Sequence, residues 1–275
     1  MSRVLLTGGG GVLGRAIVSA LRSAGHEALP IGHLDLDVTD RAATQRATRR
    51  LAPRAVIDTA LPADVDTVAA GAENLAAAAA TVDAFLVYVS CADVFVGISG
   101  PYDEAHRPAP ATRLGEAKLA AERAVADATL NHAIVRTSWL YGAGRESALL
   151  APLQEPGATV AGDVTVTGSP TYIPHLADIL VALVRRPVHG VFHRAGSGSC
   201  TQLEFLRAAM RVTRTPRRPV VESASLDAPP RDYSLTSVRN EVPVLPDWRL
   251  GLQTHLEARE TRTSPDSGPA PPQPG

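Results

Sequence analysis

Cysteine is scarce in this sequence, and its scarcity argues against a disulfide-stabilised protein and against a cysteine-based metal site. Of 275 residues, only Cys91 and Cys200 carry a thiol. Two isolated thiols cannot build a disulfide framework, and they have no metal-ligand spacing, so we expect no structural metal. This usage is typical of a reducing compartment, and we expect a cytoplasmic protein.

The sequence also lacks an excess of charge and a membrane-spanning stretch. Its 27 basic and 28 acidic residues leave a formal net charge of −1, which argues against nucleic acid or a membrane surface as a partner. The longest apolar candidate is interrupted by Asp83, so it is too short to cross a bilayer. Near the N-terminus, Arg3–Thr7 runs directly into a glycine cluster rather than into a secretion signal.

Short apolar runs alternate with segments of helical periodicity in the first half of the chain. The apolar runs are Val4–Thr7, Ala28–Ile31, Ala55–Thr59, Phe85–Ser90, Ala133–Thr137 and, later, Val191–His193. The helical segments are Val12–Ala24, Arg41–Leu51, Val68–Ala80 and Arg113–Ala128. Strands that are apolar on both faces and alternate with helices predict an α/β fold, a doubly wound parallel sheet covered on both sides.

The pattern loosens after about residue 142, where proline and glycine become frequent. Three helices are predicted there, at Glu146–Leu153, Pro174–Arg185 and Gln202–Thr213. We predict a Rossmann core over residues 1–142 and a smaller substrate lobe over 143–260, with 191–194 returning to the main sheet. Residues 261–275 are mostly Pro, Gly, Ser and Thr, a composition that predicts a disordered tail.

The segment Val4–Gly14 has the form strand, glycine turn, helix, with Gly8, Gly11 and Gly14 spaced G-x-x-G-x-x-G. In such a turn the first glycine permits the tight bend, the second lets a pyrophosphate approach the backbone, and the third lets the helix pack against the strand. The helix beginning at Val12 and Leu13 then offers free N–H groups to phosphate. This motif predicts a nicotinamide dinucleotide site.

The second strand ends at Ile31-Gly32-His33, without the acidic residue that commonly binds the adenosine ribose of NAD. His33 could contact a 2′-phosphate, or it could be an ordinary surface histidine. Further on, Asp37 and Val38 are candidates to pair with the adenine amino group and to cover its ring. NADP or NAD is therefore the expected cofactor, with a slight preference for NADPH.

Several stretches, in order along the chain to about residue 260, resemble a known family. They are LDVTD at 36–40, VYVSCADVFVG at 87–97, PYDE at 101–104, KLAAE at 118–122, VRTSWLYG at 135–142, GSPTY at 168–172 and VFHRAGSGSC at 191–200. The chain resembles the extended short-chain dehydrogenase/reductase superfamily and, within it, the dTDP-4-dehydrorhamnose reductase family. The resemblance implies hydride transfer from a reduced nicotinamide to the 4-keto carbon of a nucleotide-linked 6-deoxysugar.

The resemblance also implies site residues, and the sequence departs from the family's pattern at the proton donor. A Tyr-x-x-x-Lys pair is implied on one helix, and Lys118 matches the lysine, but Leu114 stands at the tyrosine position. Cys91 stands where the family has a strand-end threonine, and a thiol is a weak hydrogen-bond donor. The resemblance also implies that Thr59 and Ala60 contact the cofactor. The substrate contacts that the resemblance implies are Asp93, Phe95, Trp139, Pro170, Thr171 and Arg231.

Two hypotheses therefore stay open. The first is a divergent reductase, or a non-redox enzyme on the same fold, acting on a nucleotide-linked keto-sugar or a related intermediate, with a homodimer as a candidate assembly. In that case another group could supply the proton; the candidates are Cys91, Asp93, Tyr102, His106 and Glu116. The second is a cofactor-binding regulatory protein with little catalytic activity. A positioned general acid contributes roughly a hundred- to ten-thousand-fold in rate, so Leu114 predicts a poor reductase of the usual kind.

Overall fold

The computed structural model describes residues 1–62, 64–142, 149–153, 159–213, 220–223 and 230–263. Its strands are β1 Arg3–Thr7, β2 Glu27–Ile31, β3 Ala55–Asp58, β4 Phe85–Cys91, β5 His132–Thr137, β6 Leu140–Tyr141, β7 Val160–Asp163, β8 Val166–Gly168, β9 Thr171–Tyr172, β10 Gly190–His193, β11 Cys200–Thr201, β12 Val220–Ser223 and β13 Arg231–Asp232. Its helices are α1 Val12–Ser23, α2 Arg41–Leu51, α3 Val68–Ala80, α4 Arg113–Ala128, α5 Ile173–Arg185, α6 Gln202–Val212 and α7 Trp248–Thr263. Short 3-10 turns lie at Val65–Thr67, Ala92–Val94 and Ala151–Leu153.

The main sheet has six strands in the order β10-β5-β4-β3-β1-β2, and every pair in it is parallel. The predicted doubly wound α/β fold is confirmed, and Val191–His193 does return to the main sheet as part of β10. Because β1 pairs with β2 on one side and β3 on the other, the chain reverses its direction of travel across the sheet at β1. In open parallel sheets, ligands bind outside the carboxyl ends of the strands at such a reversal point.

Both faces of the main sheet are buried, which explains why its strands are continuous apolar runs rather than alternating ones. One face packs against α1 and α5, where Ile17, Leu21 and Leu180 are fully covered. The other face packs against α3, whose alanines allow a close approach to α4. These two layers hold the carboxyl ends of β1, β3, β4 and β5 in fixed positions at one edge of the sheet.

A smaller cluster forms the core of the C-terminal half. It contains Tyr141, Phe205, Trp248, Leu252 and Leu256. The last three lie four residues apart on one face of α7, and the Arg249 backbone N–H donates to the Asp247 carboxylate at the start of this helix. No helix was predicted from the sequence at the position of α7.

Two further predictions for this half need correction. The disordered tail was predicted to begin at residue 261, but α7 continues to Thr263; residues 264–275 lie outside the described part. Of the helix expected at Glu146–Leu153, residues 146–148 lie outside the described part, and residues 149–153 form only a short 3-10 turn. The division at residue 142 stays a prediction. In the part of the chain that the structure describes, no helix combines the length and apolar character that crossing a membrane requires.

Candidate active site

The turn between β1 and α1 has the geometry that its three glycines require. Gly8 has φ +72°, a left-handed conformation that side chains disfavour, and a Cβ there would lie 2.7 Å from the Thr59 hydroxyl. A Cβ at Gly14 would overlap the carbonyl oxygen of Gly8. Gly11 donates its backbone N–H to that same carbonyl at 2.9 Å. Gly8 and Gly14 therefore serve packing, while Gly11 faces open space apart from that one oxygen.

The start of α1 offers an anion site. Gly11 is the N-cap and has no side chain to cap the helix, and the first helical hydrogen bond is donated by Arg15 to the Gly11 carbonyl at 3.0 Å. The N–H groups of Val12, Leu13 and Gly14 therefore have no acceptor within the helix. The positive end of the helix dipole adds to their attraction for phosphate. These groups border a cavity, so the turn fits the pyrophosphate of a dinucleotide.

Three of the predicted cofactor residues, His33, Asp37 and Val38, lie after the end of β2. His33 and Asp37 are exposed, and Val38 is buried under α3, so none of the three borders the cavity. Asp35 folds back, and its carboxylate accepts the Gly32 N–H at 3.0 Å. The Asp35 carboxylate therefore lies beside Gly32, just after the end of β2, although Gly32 and His33 are not acidic. Asp37 accepts hydrogen bonds from the backbone and hydroxyl of Thr39, which lower its pKa.

A cavity of about 500 Å³ opens at the carboxyl ends of β1, β3, β4 and β5. The predicted cofactor and catalytic residues that line it are Gly8, Gly11, Val12, Leu13, Gly14, Thr59, Cys91, Leu114 and Lys118. The predicted substrate residues that line it are Asp93 and Trp139. Lining residues that were not singled out from the sequence include Leu61, Ser90, Thr137, Ser138, Val166 and Tyr233. Ala60 lies beside the cavity but not among its walls.

Lys118 and Leu114 reach the cavity from α4. Thr112 caps this helix by accepting the Gly115 N–H at 3.0 Å, and Gly115 lies so close to the Asp93 carbonyl that it has no room for a side chain. The Lys118 ammonium donates to the Val89 carbonyl at 3.0 Å and lies 5.0 Å from the centre of the Tyr88 ring. Leu114 lies one helical turn earlier and presents only methyl groups to the cavity.

Cys91 ends β4 and borders the cavity. Burial, followed by the nearby Asp93 carboxylate, raises the pKa of the thiol to about 12. The thiol is therefore protonated at neutral pH, and Lys118 offsets only part of this effect. A thiol with such a pKa holds its proton too tightly to be an efficient acid at neutral pH.

A buried carboxyl lies beneath the same wall. Asp58, at the end of β3, accepts hydrogen bonds from the Thr7 hydroxyl at 2.6 Å and from the Ala60 N–H at 3.0 Å. Burial raises the pKa of Asp58, and the two hydrogen bonds and Lys118 oppose that shift. Thr59 itself donates its hydroxyl to the Thr7 carbonyl. This arrangement fixes the strand ends on which the glycine turn rests.

Three residues that line the cavity carry buried hydroxyls with no protein partner. These hydroxyls belong to Ser90 on β4 and to Thr137 and Ser138 at the end of β5. The sheet register places Cys91 directly opposite Thr137, so the groups come from neighbouring strand ends. Buried hydroxyls normally have partners, and leaving one unsatisfied costs about 1–3 kcal/mol. The one available sequence signal was their position at the carboxyl ends of predicted parallel strands.

The structure separates the predicted substrate residues into two groups. Trp139, with φ +38°, places its indole against Gly168, where a Cβ would overlap the ring. Phe95 is 1% exposed and stacks on Tyr102 with 4.3 Å between ring centres, away from the cavity. Pro170 and Thr171 are buried behind Trp139 and do not line the cavity. Arg231 lies just behind the wall, where its guanidinium donates to the Tyr233 hydroxyl at 3.0 Å.

Of the five candidate proton donors, Tyr102, His106 and Glu116 do not line the cavity. The Tyr102 hydroxyl accepts the backbone N–H groups of Ile98 and Ser99. His106 pairs with Asp103 on the surface at 2.7 Å, and Glu116 is exposed on α4. Only Cys91 and Asp93 among the five border the site.

A buried ionic network lies on the far side of β5. Arg136 forms two hydrogen bonds to Glu122 at 2.6 and 2.9 Å, and both side chains are 5% exposed. His193 donates from its ring Nδ1 to the carbonyls of Tyr102 and Thr236, and burial lowers its pKa. These contacts lock β10 and α4 onto the sheet, which gives His193 a structural role.

Comparison with known proteins agrees with this geometry. Residues 2–260 match the model of a family described as RmlD substrate binding domain. A relative named dTDP-4-dehydrorhamnose reductase from Mycobacterium tuberculosis is 34% identical, over 96% of this chain and 95% of its own length. The crystal structure of a dTDP-4-dehydrorhamnose reductase from Clostridium acetobutylicum is 25% identical with a TM-score of 0.87, over 94% of this chain and 99% of its own. Another, from Bacillus anthracis in complex with NADP, is 28% identical with a TM-score of 0.85, over the same shares.

Proposed function

The chain belongs to the RmlD substrate binding domain family, and from that premise we propose that it is an NADP-dependent reductase of a nucleotide-linked keto-sugar. The reaction class follows from the reductases it resembles along almost its whole length. The observation that carries the proposal is one cavity lined by the start of α1 with its free N–H groups, by Lys118 and by the carboxyl ends of β4 and β5.

The walls of this cavity fit a nicotinamide dinucleotide. The backbone N–H groups of Val12 and Leu13 would hold the pyrophosphate, and Gly11 leaves room for it. Lys118 would hold the nicotinamide ribose from the opposite wall. When bound, NADPH supplies a hydride to the substrate. The chain's own contribution is to orient the two ligands and to manage the charge that develops on the keto oxygen.

Several groups are placed to meet that oxygen and the sugar. Ser90, Thr137 and Ser138 line the cavity from the ends of β4 and β5, and their hydroxyls have no protein partner. The indole of Trp139 forms an apolar wall against which a sugar ring or a base could pack. Leu114, which stands at the family's tyrosine position, offers no proton. The site can therefore orient and polarise a keto-sugar, but its proton must come from elsewhere.

A direct assay tests the proposal. Purified protein is mixed with NADPH and dTDP-4-keto-6-deoxyglucose, and both the loss of nicotinamide absorbance and the reduced sugar are measured. Turnover that depends on Lys118, and falls by roughly a hundredfold or more in Lys118→Met, would support a reductase. Dinucleotide binding without any turnover across a panel of keto-sugar nucleotides would reject it.

A second candidate function has one observation in its favour. Leu114 makes the wall apolar where a reductase of this family needs a phenol, which suits a protein that binds the dinucleotide in order to regulate a partner. Such a protein would bind NADPH with normal affinity and reduce nothing. A homodimer remains a prediction for either function, and size-exclusion chromatography with light scattering would test it.

A further inference from the structure

We propose that Tyr233 supplies the proton that Leu114 cannot supply, and that Arg231 holds the Tyr233 hydroxyl for this purpose. The inference rests on the proposed reductase function. It moves the proton donor from α4 to the segment that follows β13.

The position of Tyr233 is defined by contacts with both halves of the molecule. It follows β13, and its backbone N–H donates to the Thr167 carbonyl at 2.9 Å. Its ring occupies the space beside Gly97, where a Cβ would lie 2.5 Å from it. The ring also packs against the cluster that contains Ala92, Val94 and Leu119. Tyr233 lines the same cavity as Cys91, Leu114 and Lys118.

The partner of the hydroxyl determines what its proton can do. The Arg231 guanidinium donates to the Tyr233 oxygen at 3.0 Å. Arginine has only donors, so the phenol's own hydrogen takes no part in this bond and remains free for another acceptor. The same guanidinium can donate to the Tyr233 oxygen before and after that hydrogen leaves. A tyrosine beside a cation is also what the family's Tyr-x-x-x-Lys pair provides.

The other groups near the cavity are poorer donors. The Cys91 thiol has its pKa raised to about 12 by burial and by Asp93, and the hydroxyl of Tyr102 lies outside the cavity, accepting two backbone N–H groups. Among the described residues, Tyr233 is the one tyrosine that lines the cavity. The stretch PPRDYS at 229–234 resembles a family segment near the substrate, but it pointed to Arg231 rather than to Tyr233, which lies 119 residues after Leu114.

Reduction of the keto group consumes one hydride from NADPH and one proton from Tyr233. A hydride from NADPH forms the new C–H bond at the keto carbon, and the electron pair of the C=O π bond moves onto oxygen. That oxygen takes the proton of Tyr233, which gives the hydroxyl product. The Tyr233 phenolate, paired with Arg231, then recovers a proton from solvent.

The test compares turnover with ligand binding in single and double variants. Tyr233→Phe should lower kcat for dTDP-4-keto-6-deoxyglucose by roughly a hundred- to ten-thousand-fold. Calorimetric affinities for NADP and for dTDP-glucose, which has no keto group, should stay within about threefold, because the ring remains. Tyr141→Phe is the matched control, since its hydroxyl donates to the Trp248 carbonyl in the lobe core and is absent from the cavity. It should leave kcat within about threefold.

Two more variants separate a proton donor from a merely structural residue. The double variant with Leu114→Tyr and Tyr233→Phe should have a kcat at least about tenfold higher than Tyr233→Phe alone, because a phenol returns beside Lys118. Arg231→Met should lower kcat more than it weakens dTDP-glucose binding, whereas an arginine that grips the diphosphate would mainly weaken binding.

The possible failures are distinguishable. Normal turnover by Tyr233→Phe overturns the assignment but leaves the reductase function intact. Parallel loss of turnover and of both affinities in Tyr233→Phe also overturns it, since that result is the signature of a packing role. Absence of turnover in the unmodified protein, with NADP bound, overturns the proposed function and the role of Tyr233 together.

Discussion

Replacing Gly11 with valine should abolish dinucleotide binding while leaving the fold intact. Gly11 has φ −69°, a value that any residue can adopt, so the substitution introduces no backbone strain. A Cβ there would lie 3.2 Å from the Gly8 carbonyl, which requires a shift of only a few tenths of an ångström. The rest of the valine side chain would project into the cavity, over the free N–H groups of Val12 and Leu13.

The magnitude follows from those N–H groups. Each hydrogen bond to a charged partner is worth about 1.5–3 kcal/mol, so loss of two removes roughly 3–6 kcal/mol of binding free energy. That corresponds to roughly two to four orders of magnitude in Kd. The fold should lose only about 1 kcal/mol, since valine is a poorer N-cap than glycine.

Two neighbouring glycines provide the controls, measured by calorimetry for NADP binding and by thermal melting for stability. Gly10→Val should bind within about threefold of the unmodified protein, because no atom lies within 4 Å of a Cβ there. Gly14→Ala should instead destabilise by about 1–3 kcal/mol, since its Cβ would overlap the Gly8 carbonyl. Full NADP binding by Gly11→Val would refute the assignment of this turn to pyrophosphate.

Three further outcomes can be measured on the same protein. His33→Asp should weaken NADPH binding relative to NADH by about fivefold in calorimetry, through repulsion of the 2′-phosphate; an unchanged ratio would remove His33 from the cofactor site. Burial raises the pKa of Asp58 in the folded state, so its contribution to the free energy of unfolding falls as pH rises from the unfolded pKa to the folded one. Asp58→Asn should flatten that decline in urea titrations above about pH 4, the ordinary pKa of an aspartate, and identical slopes would contradict the pKa direction. Glu122→Ala should destabilise by about 3–5 kcal/mol, because it leaves Arg136 buried without its partner; a loss below about 1 kcal/mol would mean that water reaches Arg136.

The main sheet and its helices were predictable from local pattern. Strands buried on both faces appear in sequence as apolar runs, and the predicted bounds of β1 to β5 lie within one residue of the observed ends. The bounds of α2, α3 and α4 agree in full, since Asp40 and Thr112 mark two of the starts by capping them. The glycine turn was equally readable, because all of its determinants lie within seven residues.

The C-terminal lobe was harder to read because its elements depend on distant partners. Strands such as β9, β11 and β13 are two residues long and exist only through pairing with segments far along the chain. The helix α7 did carry a local signal, since Trp248, Leu252 and Leu256 follow at four-residue spacing just after Asp247, whose carboxylate accepts a backbone N–H of the first turn. The charged and polar residues at its remaining positions concealed that stripe.

The same distinction explains which parts of the site could be predicted. A dinucleotide is held largely by backbone geometry within one strand–turn–helix unit, so its site is encoded locally. A proton donor needs only a hydroxyl in reach of the substrate oxygen and a cation beside it, and any element that borders the cavity can provide both. In the proposed mechanism, Arg231 and Tyr233 would meet these conditions from the segment at and after β13, which pairs with β8. The replacement of the family tyrosine by Leu114 is therefore compatible with reduction, since the chemistry constrains the position of a proton in space rather than a position in the sequence.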